Sequence, residues 1–287
     1  MIIKTSTQLK DKISNISGNN SKKAQILIRK YMMEQFLVRI SKTKYRNNFI
    51  LKGGMLISAI VGVEVRTTMD IDTTVRRIPL TKDRIINVIG EIIKININDG
   101  LNYEIRRVED IMEEHDYTGI RLTLDVKLEK LRDTIKIDIS TGDEITPSAI
   151  EFSYPMMFDA GKIDIWSYNI ETLLAEKLET IVVRSTFNTR MRDFYDVYLL
   201  WNDKIEVINR NVLYEAFINT ANKRGTIHLL NNIEEVIENI VGSDYLRENW
   251  ENYKKNNSYV GDLTWDIVLG KLVYILRNEL KVLSVSA

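Results

Sequence analysis

FILKGGMLISAIVGVEVRTTMDIDTTVR, residues 49–76, begins with an apolar segment that runs into Gly53-Gly54, continues in a helical pattern, and ends in a strand-like segment carrying Asp70 and Asp72. Side chains two residues apart on an extended chain point to the same face, so these two carboxylates lie side by side. Like charges this close repel each other unless a cation lies between them. The pair therefore predicts a metal site, and its oxygen ligands favour Mg²⁺, Mn²⁺ or Ca²⁺.

The two aspartates also have a simpler interpretation, as solvated residues at a strand end beside Arg66, Arg76 or Arg77. A zinc site of cysteines and histidines is not expected, because the chain has no cysteine and only two histidines, His115 and His228. An oxygen-ligated metal and a pair of surface carboxylates are thus the two alternatives for this segment.

The overall composition limits the class of protein. The 287 residues suffice for one large domain or two ordinary ones. Lysine and arginine together number 40, as do aspartate and glutamate, so any nucleic-acid-binding surface must be local. The sequence has no signal-peptide pattern at its start and no apolar run of about 18 residues. We therefore expect a soluble, cytoplasmic protein with no membrane contact.

Two regions of the chain, residues 1–150 and 151–287, differ in pattern and predict two domains, with a connection near the prolines at 147 and 155. The first contains a helix over residues 21–40, followed by alternating strand and helix patterns. Strand patterns occupy 49–54, 67–76, 120–128 and 134–140, and helix patterns occupy 55–62 and 83–95. From about residue 170 to residue 284 the pattern is mostly helical. The prediction is a mixed α and β domain followed by a mainly helical one.

The glycine pair suggests a phosphate site. Gly53-Gly54 opens the helix pattern, and the backbone N–H groups at a helix N-terminus attract phosphate. Ser58 lies about one turn further along the helix, where its hydroxyl would add to such a site. Phosphates held here and a metal held by the two aspartates would both bind one nucleoside triphosphate. The simpler alternative is a tight turn whose glycines only permit close packing.

A third carboxylate, Asp138, lies between Ile137 and Ile139 in a strand pattern. Two-metal phosphoryl-transfer sites need a ligand on the side of the attacking oxygen, and Asp138 would supply it from a strand beside Asp70 and Asp72. The order of Gly-Gly, D-x-D and a later strand acid resembles the DNA polymerase β-like nucleotidyltransferase superfamily.

The helical half contains two further charged motifs. In IETLLAEKLETIVVRS, Lys177 lies at the edge of an apolar stripe, and the simpler interpretations are a lysine with a solvated tip or one paired with nearby glutamates. In TRMRDFYDVYLL, Asp193 and Asp196 follow two arginines, and Arg192 with Asp196 has the spacing of an ordinary surface ion pair on a helix.

Taken in order, KGGMLISAIVG, RTTMDID, AEKLETI and RMRDFYDVYLL closely resemble the AbiEii/AbiGii toxin family, nucleotidyltransferase-like proteins of bacterial toxin–antitoxin and abortive-infection phage-defence systems. The resemblance covers roughly residues 25–205. It implies a DNA polymerase β-like nucleotidyltransferase domain followed by a mainly helical C-terminal domain, in all an α+β fold. The residues that it assigns to nucleotide binding, metal binding and catalysis are Gly53, Gly54, Ser58, Asp70, Asp72, Lys177, Asp193 and Asp196.

The same resemblance implies a toxin that uses GTP or another NTP with Mg²⁺ or Mn²⁺, and in some relatives the tRNA 3′ end as acceptor. We expect Asp70 and Asp72 to hold the metal, and Gly53, Gly54, Ser58 and Lys177 to bind the triphosphate. Asp138, Asp193 or Asp196 would assist the attacking hydroxyl, and the sequence does not select one of them. The expected partner is a separate winged-helix antitoxin, with or without direct contact.

Two rival functions stay open at this point. One is a GTP-binding toxin without turnover, and the other is a small-molecule nucleotidyltransferase of the antibiotic-modifying type. A wide basic groove would favour an RNA acceptor. The nearest candidate is the set of basic residues between 22 and 52, which is as readily a solvated charge run: Lys22, Lys23, Arg29, Lys30, Lys42, Lys44, Arg46 and Lys52.

Overall fold

The structure is a computed structural model that describes residues 3–18, 20–62, 64–112, 118–158 and 161–280. His115 and the last seven residues of the expected C-terminal domain, 281–287, lie outside the described residues. The chain divides into two compact units. The first consists of Met1–Asp143 and Ile150–Ser167, and the second of Glu144–Ala149 and Tyr168–Ala287.

The first unit is built on one seven-stranded mixed sheet with the strand order β3-β4-β5-β2-β1-β7-β6. The strands are β1 (Phe49–Lys52), β2 (Asp70–Val75), β3 (Asn102–Met112), β4 (Thr118–Leu128), β5 (Leu131–Thr141), β6 (Ile150–Pro155) and β7 (Lys162–Ser167). The helices are α1 (Ser6–Ser17), α2 (Ser21–Ser41), α3 (Gly53–Val61) and α4 (Lys82–Ile93). The helices and strands that the sequence predicts between residues 21 and 140 are confirmed.

Periodic apolar residues explain these elements. On β4, every second residue from Ile120 to Val126 is buried, so one face of the strand lies on the core. On α4, Ile85, Val88 and Ile92 are fully buried at helical spacing, which explains the helix predicted over residues 83–95. The opposite face of the sheet is therefore left for polar residues.

Two strands extend the first unit beyond the boundary expected at residue 150. Strand β7 pairs in parallel with β1, with Ile50 opposite Trp166 and Leu51 opposite Ser167. Strand β6 pairs with β7 in antiparallel fashion. This pairing draws residues 150–167 into the first unit, because a parallel neighbour of β1 can come from far along the chain.

The second unit contains the helices α5 (Ile170–Arg184), α6 (Met191–Lys204), α7 (Arg210–Lys223), α8 (Ile233–Val241), α9 (Asp244–Asn256) and α10 (Trp265–Tyr274). Three tryptophans, Trp201, Trp250 and Trp265, are fully buried in its core. The helical prediction for this half is confirmed. Among the described residues, none of the helices has both the length and the apolar composition needed to cross a bilayer.

Candidate functional site

Four strands of the first unit bring charged side chains into one row across the sheet. Asp72 on β2 lies opposite Lys52 on β1 and opposite Asp138 on β5. Asp138 in turn lies opposite Arg121 on β4. Directly opposed residues share a face, with Cβ atoms about 5 Å apart. The row therefore reads cation, carboxylate, carboxylate, cation, and Asp70 lies two residues from Asp72 on the same face.

Gly53 lets Asp72 pack against the start of α3. Its φ of +63° lies in the left-handed region, and a Cβ at this position would lie 2.1 Å from Oδ2 of Asp72. The backbone N–H of Gly54 donates to the same Oδ2 at 3.3 Å. The helix N-terminus therefore already binds a carboxylate of the protein, a contact that the sequence did not predict.

Gly54 makes room for a second pair of side chains. A Cβ on Gly54 would lie 2.8 Å from Oγ1 of Thr68 and 3.0 Å from Nη2 of the buried Arg66. The Thr68 hydroxyl donates to Oδ1 of Asp70 at 2.8 Å. Gly53 thus makes room for Asp72, and Gly54 makes room for Thr68, which binds Asp70. Thr68 is a site residue that sequence reasoning missed, and its signal was a hydroxyl two residues before the first aspartate.

The donor set at Asp70 and Asp72 fits one divalent cation. Both side chains are partly exposed on one face of β2, and their contacts with Thr68 and Gly54 are hydrogen bonds from neutral donors. Mg²⁺ in phosphoryl-transfer sites is bound by one or two carboxylates together with substrate phosphates. Within the described parts of the chain, no group of three or more acidic or histidine side chains is placed to hold a metal.

Asp138 is bound by an arginine instead. Nε of Arg121 donates to Oδ1 at 2.7 Å and Nη2 donates to Oδ2 at 2.6 Å, so both carboxylate oxygens are engaged. The pKa of Arg121 is raised, chiefly by these hydrogen bonds and also by the negative charges of Asp138 and Asp70. The sequence did not indicate this pair, because residues 121 and 138 meet only through the register of β4 with β5.

At the other end of the row, Lys52 is buried and donates to Oδ2 of Asp143 at 2.7 Å. Ser140 donates to the same oxygen at 2.8 Å. Lys52 therefore supports the β1 end of the site from within the protein, and it does not belong to an exposed basic groove.

Other basic residues of the expected RNA groove are also engaged within the first unit. Lys30 is buried, and four others form ion pairs with acids: Lys23 with Glu64 and Lys44 with Glu91, each at 2.8 Å, Arg29 with Asp133 at 2.7 Å, and Arg46 with Glu151. These contacts favour the interpretation of this run as a charge-balanced surface.

Ser58 is 2% exposed and turns toward the interior. Its Oγ lies 3.5 Å from Nζ of Lys30, which also contacts Glu34 at 3.5 Å and the Tyr154 hydroxyl at 3.4 Å. Burial raises the pKa of Glu34, while the charge of Lys30 acts in the opposite direction. This buried polar cluster joins α2, α3 and β6 behind the start of α3.

The second unit holds its own charged cluster. Nζ of Lys177 on α5 lies 2.5 Å from Oδ1 of Asp193 and 3.4 Å from Oδ2 of Asp196, both on α6. Asp196 is fully buried, so it is not part of an exposed helix-surface pair. Oδ2 of Asp193 is buried, with no hydrogen-bond partner among the described residues.

The glutamates considered as partners of Lys177 have other contacts. Glu176 and Glu179 pair with Arg224 at 3.3 Å and 2.5 Å. Glu171 accepts a hydrogen bond from the backbone N–H of Asn209 at 2.9 Å. The simple picture of a lysine with a solvated tip is wrong, because Lys177 bridges two buried carboxylates.

The candidate residues therefore form two groups. The first unit brings together Gly53, Gly54, Asp70, Asp72 and Asp138, with Ser58 buried behind them. The second unit brings together Lys177, Asp193 and Asp196.

Comparison with known proteins agrees with the fold. Residues 35–271 match the family model described as nucleotidyl transferase AbiEii toxin, type IV TA system. The structure of JHP933 from Helicobacter pylori is 15% identical with a TM-score of 0.51, over 90% of this chain and 92% of that one. A candidate nucleotidyltransferase from H. pylori is 16% identical with a TM-score of 0.53, over 90% of this chain and 95% of that one. Among curated proteins, none is significantly similar in sequence.

Proposed function

The chain belongs to the AbiEii family of nucleotidyl transferase toxins of type IV toxin–antitoxin systems, and from this premise we propose that it transfers a nucleoside monophosphate from an NTP, with GTP favoured, to an acceptor hydroxyl. The proposed acceptor is the 3′ end of tRNA. The acceptor hydroxyl gives its proton to a base or to solvent, its oxygen attacks the α-phosphorus, the bond from that phosphorus to the bridging oxygen of the β-phosphate breaks, and pyrophosphate leaves.

The observation that carries this proposal is the pair Asp70 and Asp72 on one face of β2, fixed against the start of α3 by Thr68 and Gly54. Phosphoryl transfer depends mainly on positioning and on charge stabilisation. Two carboxylates side by side on one strand offer the oxygen ligands that a divalent cation prefers. A Mg²⁺ or Mn²⁺ ion bound there would neutralise the triphosphate.

Residues at the start of α3 have two assigned roles. Gly53 and Gly54 let Asp72 and Thr68 approach the start of α3, and we propose that the remaining N–H groups of the first turn bind a phosphate beside Asp72. Ser58, given its contact with Lys30, would act by fixing α3.

The second cluster is proposed to contribute to activity as well. Lys177 would bind the triphosphate by exchanging its contact with Asp193 or Asp196 for a phosphate oxygen, and Asp193 has a carboxylate oxygen that is buried with no hydrogen-bond partner among the described residues. Asp193→Asn and Asp196→Asn keep side-chain volume and remove one charge each. We expect both variants to lose more toxicity than their loss of thermal stability explains. Full toxicity in both would show that the cluster takes no part in the reaction.

The family supports a proposal for the biological setting. A separate winged-helix antitoxin is the proposed counterpart, acting in the cytoplasm where the NTP and tRNA pools are found. Its co-expression should restore growth to cells that express the wild-type chain. Failure of any neighbouring gene product to do so would argue against a toxin–antitoxin role.

The experiment that tests the function incubates the protein with each NTP labelled at the α-phosphate, Mg²⁺ and total RNA. Label in tRNA supports the proposal, and the preferred donor is read from the four parallel reactions. Label in a small molecule would instead support an antibiotic-type enzyme. Bound but untransferred GTP would indicate a binding toxin without turnover.

A further inference from the structure

Arg121 and Asp138 differ from an ordinary surface ion pair. The Asp138 side chain is 12% exposed and accepts two hydrogen bonds in bidentate geometry. On the same sheet, Arg106 and Asp125 are 63% and 40% exposed, with a single contact at 3.6 Å. Bidentate charge-assisted pairs are shorter and stronger than single contacts, and they fix the carboxylate in one plane.

The position of this pair gives it a function. Asp138 is the direct cross-strand neighbour of Asp72, so without a cation it would place a third negative charge beside the metal-binding pair. Arg121 supplies that cation from the next strand, and it engages both oxygens that a metal ion would need.

From this geometry we propose that Arg121 takes the place of a second metal ion, so that the site binds a single divalent cation at Asp70 and Asp72. Asp138 and Arg121 are then positioning residues that set the charge of the row. The inference rests on the proposed metal site at Asp70 and Asp72, and it replaces the expectation that Asp138 would be a ligand in a two-metal site.

The charge balance supports this assignment. The Arg121–Asp138 pair is neutral overall, so Asp138 adds no net charge beside Asp70 and Asp72. A guanidinium remains protonated at any pH at which the protein is folded, so this positive charge is permanent and does not depend on metal concentration.

Mn²⁺ binding to the intact chain, followed by electron paramagnetic resonance without NTP, tests the inference independently of turnover. We expect wild type to bind one equivalent of Mn²⁺, Asp72→Asn to bind none, and Asp138→Asn to bind one. Arg121→Gln exposes the charge of Asp138 next to the cation, so its Mn²⁺ affinity should rise about tenfold or more, or a second equivalent should bind.

Two controls separate charge from folding. Arg121→Lys keeps the charge and should keep one equivalent. Arg106→Gln removes a comparable arginine of the same sheet and should leave Mn²⁺ binding unchanged.

Two equivalents in wild type, with one lost in Asp138→Asn, would overturn this inference and leave the proposed function intact. An Arg121→Gln protein that is folded and binds Mn²⁺ like wild type would also overturn it. Absence of Mn²⁺ binding in wild type would overturn both this inference and the metal site on which it rests.

Discussion

Gly53→Ala is the substitution whose effect follows most directly from the geometry. The new Cβ would lie 2.1 Å from Oδ2 of Asp72 and 2.7 Å from its Cγ, distances at which one of the two side chains must move. The residue also has a φ of +63°, which alanine adopts only with strain. The substitution therefore combines a backbone cost with displacement of a proposed metal ligand.

The magnitude is the sum of three contributions. Left-handed backbone costs a residue other than glycine about 1–2 kcal/mol, and the loss of unfolded-state entropy offsets about 0.4–1 kcal/mol of that. Overpacking against Asp72 adds about 1–3 kcal/mol. Gly53→Ala should thus lower the free energy of unfolding by about 2–4 kcal/mol. Gly225→Ala is the matched control, since Gly225 follows the end of α7 with a φ of +71° and has nothing within 4 Å of its Cβ position. It should cost about 1 kcal/mol.

Urea unfolding of wild type, Gly53→Ala, Gly225→Ala and Asp72→Ala provides the comparison. In the double variant Gly53→Ala with Asp72→Ala, the contacts with Oδ2 and Cγ are gone. Its loss in the free energy of unfolding should therefore be smaller, by about 1 kcal/mol, than the sum of the losses in the two single variants. If Gly53→Ala costs no more than Gly225→Ala, or if the double variant is strictly additive, the proposed contact does not constrain Asp72.

Two other perturbations test the buried clusters. Lys177→Met removes the ammonium that both Asp193 and Asp196 contact, so thermal unfolding should show a loss of about 3 kcal/mol; adding Asp193→Asn should recover part of it, and an unchanged melting temperature would contradict the buried pair. Burial raises the pKa of Glu34, so its contribution to stability is present below the unfolded-state pKa and is lost as the pH rises through the folded-state pKa. Relative to wild type, Glu34→Gln should therefore become more stable as the pH rises above about 4.5, the unfolded-state value; the opposite slope would show that Lys30 dominates and lowers that pKa.

Local pattern was enough to predict much of the first unit. Alternation placed Asp70 and Asp72 on one face of a strand, and β2 confirms that geometry. Helical spacing predicted α2, α4 and α5, because apolar residues that recur every three to four positions mark the buried face of a helix. These features depend on residues close together in the sequence.

Features that depend on register could not be predicted in this way. The contact of Arg121 with Asp138 needs the antiparallel pairing of β4 with β5, and the place of β7 needs its pairing with β1 across more than a hundred residues. The sequence left open whether Gly53 admits a phosphate or only permits close packing, and it did not reveal that Asp72 is the group that packs against it. Lys177 likewise needed the packing of α5 against α6 before its partners were known.

The most direct test of the central claim is transfer of labelled nucleotide by wild type and by Asp72→Asn, each at equal concentration and with Mg²⁺ present. Asp72 is partly exposed on β2, so the substitution to asparagine keeps its volume and should leave the melting temperature close to that of wild type. We predict that wild type attaches label from GTP or another NTP to RNA and that Asp72→Asn attaches none. Equal transfer by a folded Asp72→Asn protein would contradict the claim that this carboxylate pair is the catalytic metal site.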